Sequence, residues 1–344
     1  MLFTNIRYKI RRRTWSKMVR RLRSDNLYPK IYKSFWHACY HKPRVFDGHI
    51  NYYSAVPNRG AGIGHQLGNW IAGYWYAKQF GLKFAHIPFA QEKWESFLGF
   101  GNQEITVKEL VKKHDFKKVL LPLFDEDNQK EIALIKKIIH SYCDQKVVFI
   151  AEQDQFYRNQ FGVMVDIKRK FYQAEARAND HLIYSKDFFN IAVHVRRGDI
   201  MGAKTASNRD LLQRWQDTGY FEKVLATVIE NLQTGKPIAV YIFSQGERND
   251  FPEFERFKNV HFCLNMNARD SFLLMVKADL LITSKSSFSY KPALLSNGIK
   301  LCPGNFWHGY PDTDDWILVR DDGTFNVKQL QDISKRLSTK IPSN

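Results

Sequence analysis

Ile191-Ala192-Val193-His194-Val195-Arg196-Arg197-Gly198-Asp199 is the stretch that decides the fold. An apolar run of strand length ending in two guanidiniums, a glycine and a carboxylate reads as a buried parallel strand whose carboxyl end is a polar turn. Short apolar runs recur at 238–243, 260–263, 280–283 and 299–301, and the intervals 219–232, 269–277 and 287–296 carry helical periodicity. Strands alternating with crossover helices predict a Rossmann-like parallel sheet opening near Phe188. Working back toward the N-terminus, residues 51–56 read as another strand, followed by a Gly-rich turn and an apolar helix from about 67 to 80. Strands at 83–87 and 147–150 and lysine-rich helices at 107–113 and 129–142 continue the α/β alternation. At 344 residues the chain is long enough for two such domains.

Composition supports a packed core, with 26 Phe, 16 Tyr and 8 Trp. The net charge of +17 is uneven: residues 1–44 hold 13 Lys or Arg against the single acid Asp25, so +12 resides there. Within that segment Ile6, Ile10, Met18 and Leu22 recur at helical steps among arginines and lysines. This pattern predicts a basic amphipathic helix suited to an anionic headgroup layer, and residues 1–36 are the expected membrane-contacting part. The alternative is a solvated basic arm or a helix packed on the body. Cys39, Cys143, Cys263 and Cys302 show neither CxxC nor zinc-like spacing, which points to reduced thiols. No apolar run of membrane-spanning length and no secretory signal is visible, so the expected location is the cytoplasm, peripheral at the inner membrane face.

Four polar clusters fall where a parallel sheet binds its ligand, at the carboxyl ends of strands. The first is the Arg196-Arg197-Gly198-Asp199 turn. Adjacent guanidiniums repel unless an anion joins them, and a diphosphate offers the oxygens their forked donors fit. Side chains alternate along a strand, so Arg196 is expected to meet phosphate while Arg197 pairs internally with Asp199. The second cluster is Phe243-Ser244-Gln245-Gly246, suited to a ribose or base. The third is Asp270, expected to open a helix, where its carboxylate either caps the helix or accepts from a guanine edge. The fourth, Thr283-Ser284-Lys285-Ser286-Ser287-Phe288-Ser289, would bring hydroxyls and a helix N-terminus to one spot.

Taken with Gly60-Ala61-Gly62-Ile63-Gly64-His65-Gln66, these motifs carry a family resemblance. His194-Val195-Arg196-Arg197-Gly198-Asp199 resembles the His-x-Arg-Arg-x-Asp signature of the α1,2-, α1,6- and protein O-fucosyltransferase superfamily. Asp270-Ser271-Phe272-Leu273-Leu274-Met275 with Ser286-Ser287-Phe288-Ser289 is similar to the closing motifs of bacterial α1,2-fucosyltransferases. The Gly-rich segment resembles their N-terminal Gly-Asn-Gln loop, with His65 standing where relatives usually carry Asn. Order and spacing agree across roughly residues 55–300, the interval from Asp270 to Ser286 being about one residue longer than the family's.

The resemblance implies a GT-B fold, two Rossmann-like domains facing a central cleft, and inverting, metal-independent transfer of L-fucose from GDP-fucose to a glycan hydroxyl. With the charge and strand pattern above, this divides the chain into a basic segment 1–45, an acceptor-side domain 46–187 and a nucleotide-sugar-binding domain 188–344. Arg196 would hold the β-phosphate and assist its departure. His194 and Asp270 would contact the nucleoside, and Ser286, Ser287 and Phe288 would line the diphosphate, with Arg197, Asp199, Ser244, Gln245 and Ser284 completing the donor site. Gly62, Gly64 and Gln66 would form the acceptor-side loop. His65 is the candidate base because imidazole titrates near neutrality, against the alternative of a loop histidine touching donor or backbone.

Other readings are weaker. The Arg-Gly-Asp tripeptide at 197–199 sits at a strand end, a poor place for an adhesion motif. No acidic residue follows the Gly-rich turn on a strand as a dinucleotide fingerprint requires. Asp312, Asp314 and Asp315 could suggest a metal-binding pair, but they lie beyond the phosphate cluster and the arginines already supply positive charge. The rivals are a glycosyltransferase of the same fold using another nucleotide-sugar, and a nucleic-acid-binding protein using the basic, aromatic N-terminus. Nucleic acid is not the expected partner, and no cofactor beyond the donor substrate is expected.

Overall fold

The structure of the protein, a computed structural model, describes residues 27–43, 50–151, 155–198 and 213–339, with isolated positions at 14, 18, 19, 21, 22 and 48. The predicted basic helix before residue 27 and the carboxylate Asp199 lie, but for those few positions, outside the described residues. The chain is α/β with two sheets, parallel at every pairing, one in each of two compact units. One unit comprises residues 1–58, 69–88 and 103–157; the other comprises 59–68, 89–102 and 158–344. No helix among the described residues is long and apolar enough to cross a membrane.

The first unit holds β1 (Tyr52–Ala55), β2 (Lys83–Phe84), β3 (Lys117–Leu121) and β4 (Val147–Ala151) in the order β2-β1-β4-β3. Around them lie α1 (Lys33–Tyr40), most of α2 (Ile63–Gln79), α4 (Val107–Lys113) and α5 (Gln129–His140), while α3 (Glu92–Leu98) belongs to the second unit. β4 is central and buried at every residue, which is why its Val-Val-Phe-Ile-Ala run is unbroken by polar side chains. On one face Val107 and Leu110 of α4 pack against Val148 and Ile150. Elsewhere in the unit Tyr53, Tyr76, Phe80 and Phe124 form an aromatic core with centroids 4.7 to 6.3 Å apart. β3 escapes the sequence reading because Lys117, Lys118 and Leu120 of this edge strand are exposed and its pattern is therefore not apolar.

The second unit holds β5 (Phe189–His194), β6 (Ile238–Ser244), β7 (Val260–Leu264), β8 (Leu280–Ile282), β9 (Ile299–Pro303) and β10 (Trp316–Val319) in the order β10-β9-β8-β5-β6-β7. The chain runs outward from β5 through β6 to β7, then returns to the other side of β5 at β8 and continues outward to β10. This is the doubly wound order, and it leaves a crevice beyond the carboxyl ends of β5 and β8, where the winding reverses. Its helices are α6 (Met164–Tyr172), α7 (Thr218–Asn231), α8 (Ala268–Lys277), α9 (Ser287–Leu295) and α10 (Val327–Thr339). In α7, Phe221, Val224, Leu225 and Val228 recur at helical spacing and pack with Leu330 and Ile333 of α10 on Ile191, Val193, Val240 and Ile282. α8 and α9 pack against each other. Phe272 of α8 meets Phe288 of α9 edge to face, with ring centroids 6.1 Å apart.

Candidate functional site

Register brings the motifs together. His194 at the end of β5 lies level with Phe243 of β6, and Val193 lies level with Ile282 of β8. The turns that follow these strands therefore meet at the crevice, and Gly198 shows how closely. Its φ is +72°, a left-handed conformation that favours glycine, and the turn passes directly over the Gln245 side chain of the second cluster. Ser244 Oγ donates to the Val195 carbonyl at 2.8 Å, tying that cluster back to the β5 turn.

The serine cluster is built as a helix start. Ser286 is the N-cap of α9, and its hydroxyl oxygen accepts from the Phe288 N–H at 3.2 Å. The same oxygen accepts from Arg196 Nη1 at 2.9 Å. Ser286 is fully buried and Arg196 is half-buried, so the guanidinium is anchored at one nitrogen and held at the positive end of α9. Ser289, the last serine of the cluster, instead donates to the carbonyls of Ser284 and Ser286 at 3.4 and 3.3 Å and fixes the turn from inside. A pocket of about 240 Å³ opens here, lined by His194, Arg196, Ser244, Gln245, Ser286 and Phe288 together with Met266, Ala268 and Ser271. The larger cavity of this unit, about 440 Å³, opens at the other end of the strands beside Phe189, Asp279 and Gly298, away from the cationic cluster.

Arg197 points inward, as alternation along the strand predicts; its expected partner Asp199 lies outside the described residues. Its Nη1 donates to the carbonyls of Arg196 and Gln216 at 2.9 and 3.0 Å, and its guanidinium lies 4.1 Å from the centre of the Trp215 ring. Only 6% of the residue is exposed, and burial depresses its pKa against the pull of Asp217, Glu253 and Asp250. Carbonyls, an aromatic face and distributed carboxylates thus surround this guanidinium among the described residues. Gln216 is the residue that the sequence did not signal: its side-chain oxygen also accepts from the Lys285 N–H at 2.8 Å, joining the arginine and serine turns.

His194 is buried, with Nδ1 2.7 Å from Ser284 Oγ and its ring centroid 5.6 Å from that of Phe288. Burial, reinforced by nearby Arg196, pushes its pKa down to about 3, so the imidazole is neutral. The unfolded chain takes that proton near pH 6.5 and the folded chain only near 3, so between these values stability falls as pH drops. From pH 7 to pH 5 this histidine is expected to cost roughly 2 kcal/mol. Urea unfolding of wild type and His194→Asn at both pH values checks it: the variant should lose about that much less, and equal losses would mean that His194 does not remain neutral.

Two expected placements are corrected. Asp270 does not open its helix; α8 begins at Ala268 and is capped by Asn267, whose side chain accepts from the Arg269 and Asp270 N–H groups at 3.1 and 3.0 Å. Asp270 is the third helical residue, bonded to the Asn267 amide and half-exposed at the mouth of the turn, while its neighbour Ser271 faces the pocket. His65 does not lie in a loop. α2 starts at Ile63, four residues before the predicted start, and His65 sits half-buried in its first turn with its N–H bonded to the Gly62 carbonyl at 3.1 Å.

The neighbours of His65 explain that start. A Cβ on Gly64 would lie 2.7 Å from the backbone carbon and oxygen of Ser287, so the first turn of α2 touches the first turn of α9 backbone to backbone. Gln66 is buried, its amide donating to the Ala61 carbonyl and its oxygen accepting from the Ala90 N–H, each at 2.9 Å. Gly62 meets open space and supplies the capping carbonyl. The glycine motif thus belongs to the same unit as the serine cluster and borders it. Of the late carboxylates, Asp314 pairs with Arg336 at 2.8 Å and Asp315 with buried Lys300, while Asp312 is exposed. Among the described residues no group of three His, Cys, Asp or Glu side chains is placed to hold a metal ion.

No protein-family model and no curated protein matches the chain. Solved structures do. POFUT1 in complex with GDP aligns at a TM-score of 0.43 and 12% identity over 74% of this chain and 99% of that one. A point variant of Arabidopsis thaliana FUT1 with GDP aligns at 0.45 and 9%, over 79% and 75%. NodZ α1,6-fucosyltransferase with GDP aligns at 0.42 and 13%, over 80% and 96%.

Proposed function

We propose that the second unit binds a nucleoside diphosphate sugar, and that the chain is an inverting glycosyltransferase passing L-fucose from GDP-fucose to a glycan hydroxyl. The observation that carries this reading is the Arg196 guanidinium held by the Ser286 hydroxyl at the N-terminus of α9, at the point where the strand order reverses. A pyrophosphate in the pocket would meet that guanidinium, the Ser286 hydroxyl and the positive end of α9 together, with Ser287 beside them. The motif resemblance supplies the sugar and the nucleoside.

In this mechanism the acceptor oxygen attacks the anomeric carbon as the bond from that carbon to the β-phosphate oxygen breaks, and negative charge grows on the departing diphosphate. Arg196 and the α9 terminus are oriented before reaction, so they stabilise that charge without reorganising. Neutral His194, fixed through Ser284, lines the nucleoside side of the pocket without adding a charge. His65, in a turn that touches α9, takes the acceptor proton. Because the cationic charge comes from protein groups, turnover persists in EDTA.

A second reading keeps the architecture and changes the donor, since every charged contact in the pocket addresses diphosphate rather than sugar. Calorimetric titration with GDP, UDP and CDP separates the two. GDP is expected to bind at least about ten-fold more tightly than the others, and Ser286→Ala to weaken all three alike by about ten-fold, as expected for loss of a hydrogen bond to a charged group. Equal affinities for the three nucleotides would favour another donor, and no binding at all would remove the transferase reading.

A further inference from the structure

Helix α1 has one face committed to the first unit. Ser34 and Ala38 are buried, and Ser34 Oγ donates to the Leu120 carbonyl of β3 at 2.7 Å. His37 stacks on Tyr142 with centroids 3.7 Å apart and bonds Ser141 Oγ at 3.0 Å, while His41 pairs with Asp144 at 3.0 Å. The opposite stripe, Lys33, Trp36 and Tyr40 at i, i+3 and i+7, is exposed. Tyr40 is 79% exposed, Trp36 43%, and Leu27, in the turn before the helix, 52%. On the adjoining edge strand Leu120 is 49% exposed.

The two rings of the exposed stripe are held in place. Trp36 and Tyr40 lie nearly parallel, 8° apart with centroids at 6.0 Å, and the indole N–H donates to the Lys30 carbonyl at 2.6 Å. From Leu27 to Pro43 the chain has Lys30, Lys33 and Lys42 and no acid, continuing the +12 of residues 1–44. Exposed apolar side chains on a segment with three lysines and no acid of its own, Asp144 being paired with His41, call for a partner that is apolar inside and anionic outside.

We infer that this face of α1 docks the protein on a bilayer carrying anionic headgroups, with Trp36, Tyr40 and Leu27 entering the interface and the lysines meeting the headgroups. Trp and Tyr suit this depth because each has an apolar body and a polar tip. Nearby cations add attraction of the kind that distinguishes anionic from neutral lipid. A nucleic acid would use the same charge, but it has no use for Leu27 and Leu120, and the two rings each cover a face that a base would need. The inference is independent of the donor reading, since α1 lies in the first unit.

Sedimentation of the full chain with vesicles tests it, using phosphatidylcholine with and without phosphatidylglycerol. Binding is expected only to the anionic vesicles, and Trp36→Ser/Tyr40→Ser is expected to weaken it at least about ten-fold while circular dichroism and nucleotide binding stay unchanged. Lipids brominated on the acyl chain should quench part of the wild-type tryptophan emission, and Trp36→Phe should abolish that part. Equal partitioning of wild type and double variant, binding to neutral vesicles alone, or no quenching would each overturn the inference. Tighter binding to a single-stranded oligonucleotide that falls with the same two substitutions would assign the face to nucleic acid instead.

Discussion

Arg196→Met is expected to lower turnover by about two to three orders of magnitude while leaving the fold intact. One preorganised donor aimed at developing charge is worth on the order of 3 kcal/mol of transition-state stabilisation. The substitution is tolerable structurally because Arg196 is half-buried and its anchor, Ser286 Oγ, keeps a second partner in the Phe288 N–H. Ground-state affinity for GDP should fall by only about ten-fold, since the α9 N-terminus still meets the phosphates. Arg196→Lys should recover part of the binding and little of the rate, a point charge lacking the forked geometry. Steady-state kinetics with calorimetry on the same preparations decides it. A variant with wild-type turnover would mean that Arg196 merely ties β5 to α9, and the transferase mechanism would lose its principal group.

The corresponding change at Arg197 should look different. Its Nη1 bonds two backbone carbonyls and its face lies on Trp215. Removing it would leave buried acceptors unmatched and would act on stability before it acted on rate.

How much of this was legible in the sequence varies with burial. The central strands β5, β6, β8 and β9 stand within two residues of their predicted ends because strands covered on both faces are apolar throughout. The edge strand β3 gave no such signal, since Lys117 and Lys118 break its apolar pattern, whereas β10, Trp-Ile-Leu-Val, was an apolar run of only four residues. The chemistry of the site was legible where residue type dictates it. Two adjacent guanidiniums at a strand end need an anion or an internal partner, and the structure buries one of them, Arg197, among internal partners while Arg196 lines the pocket. What the sequence could not convey were Gln216 and Trp215, which act by position in space, and nothing in their spacing along the chain distinguishes them from ordinary loop residues. Asn267 was readable in principle, since Asn-x-x-Asp before an apolar run is a helix start, and it was passed over for the more conspicuous carboxylate.

Gly64 shows the opposite error, a residue read as loop because of its type. Glycine in a helix interior weakens it by about 1 kcal/mol relative to alanine, so Gly62 and Gly64 together argue for a flexible turn when only local propensity is weighed. The helix forms regardless, because Gly64 lets the first turn of α2 approach the backbone of Ser287 and Phe288, where a Cβ would sit 2.7 to 2.8 Å from three main-chain atoms. Main chain cannot rotate aside as a side chain can, so Gly64→Ala must push the two helix starts apart. The expected cost is about 1–3 kcal/mol of stability. A shift approaching 1 Å of Ser286 and Ser287 relative to the reacting atoms would lower turnover by up to about 100-fold. Gly62→Ala, where nothing lies within 4 Å, is the comparison: the same chemical change should cost at most about 1 kcal/mol, from the poorer capping residue. Thermal unfolding and turnover of the two variants side by side read the difference. If Gly64→Ala were as stable and as active as Gly62→Ala, the α2 turn would not press on α9, and His65 would lose the position from which it is proposed to act.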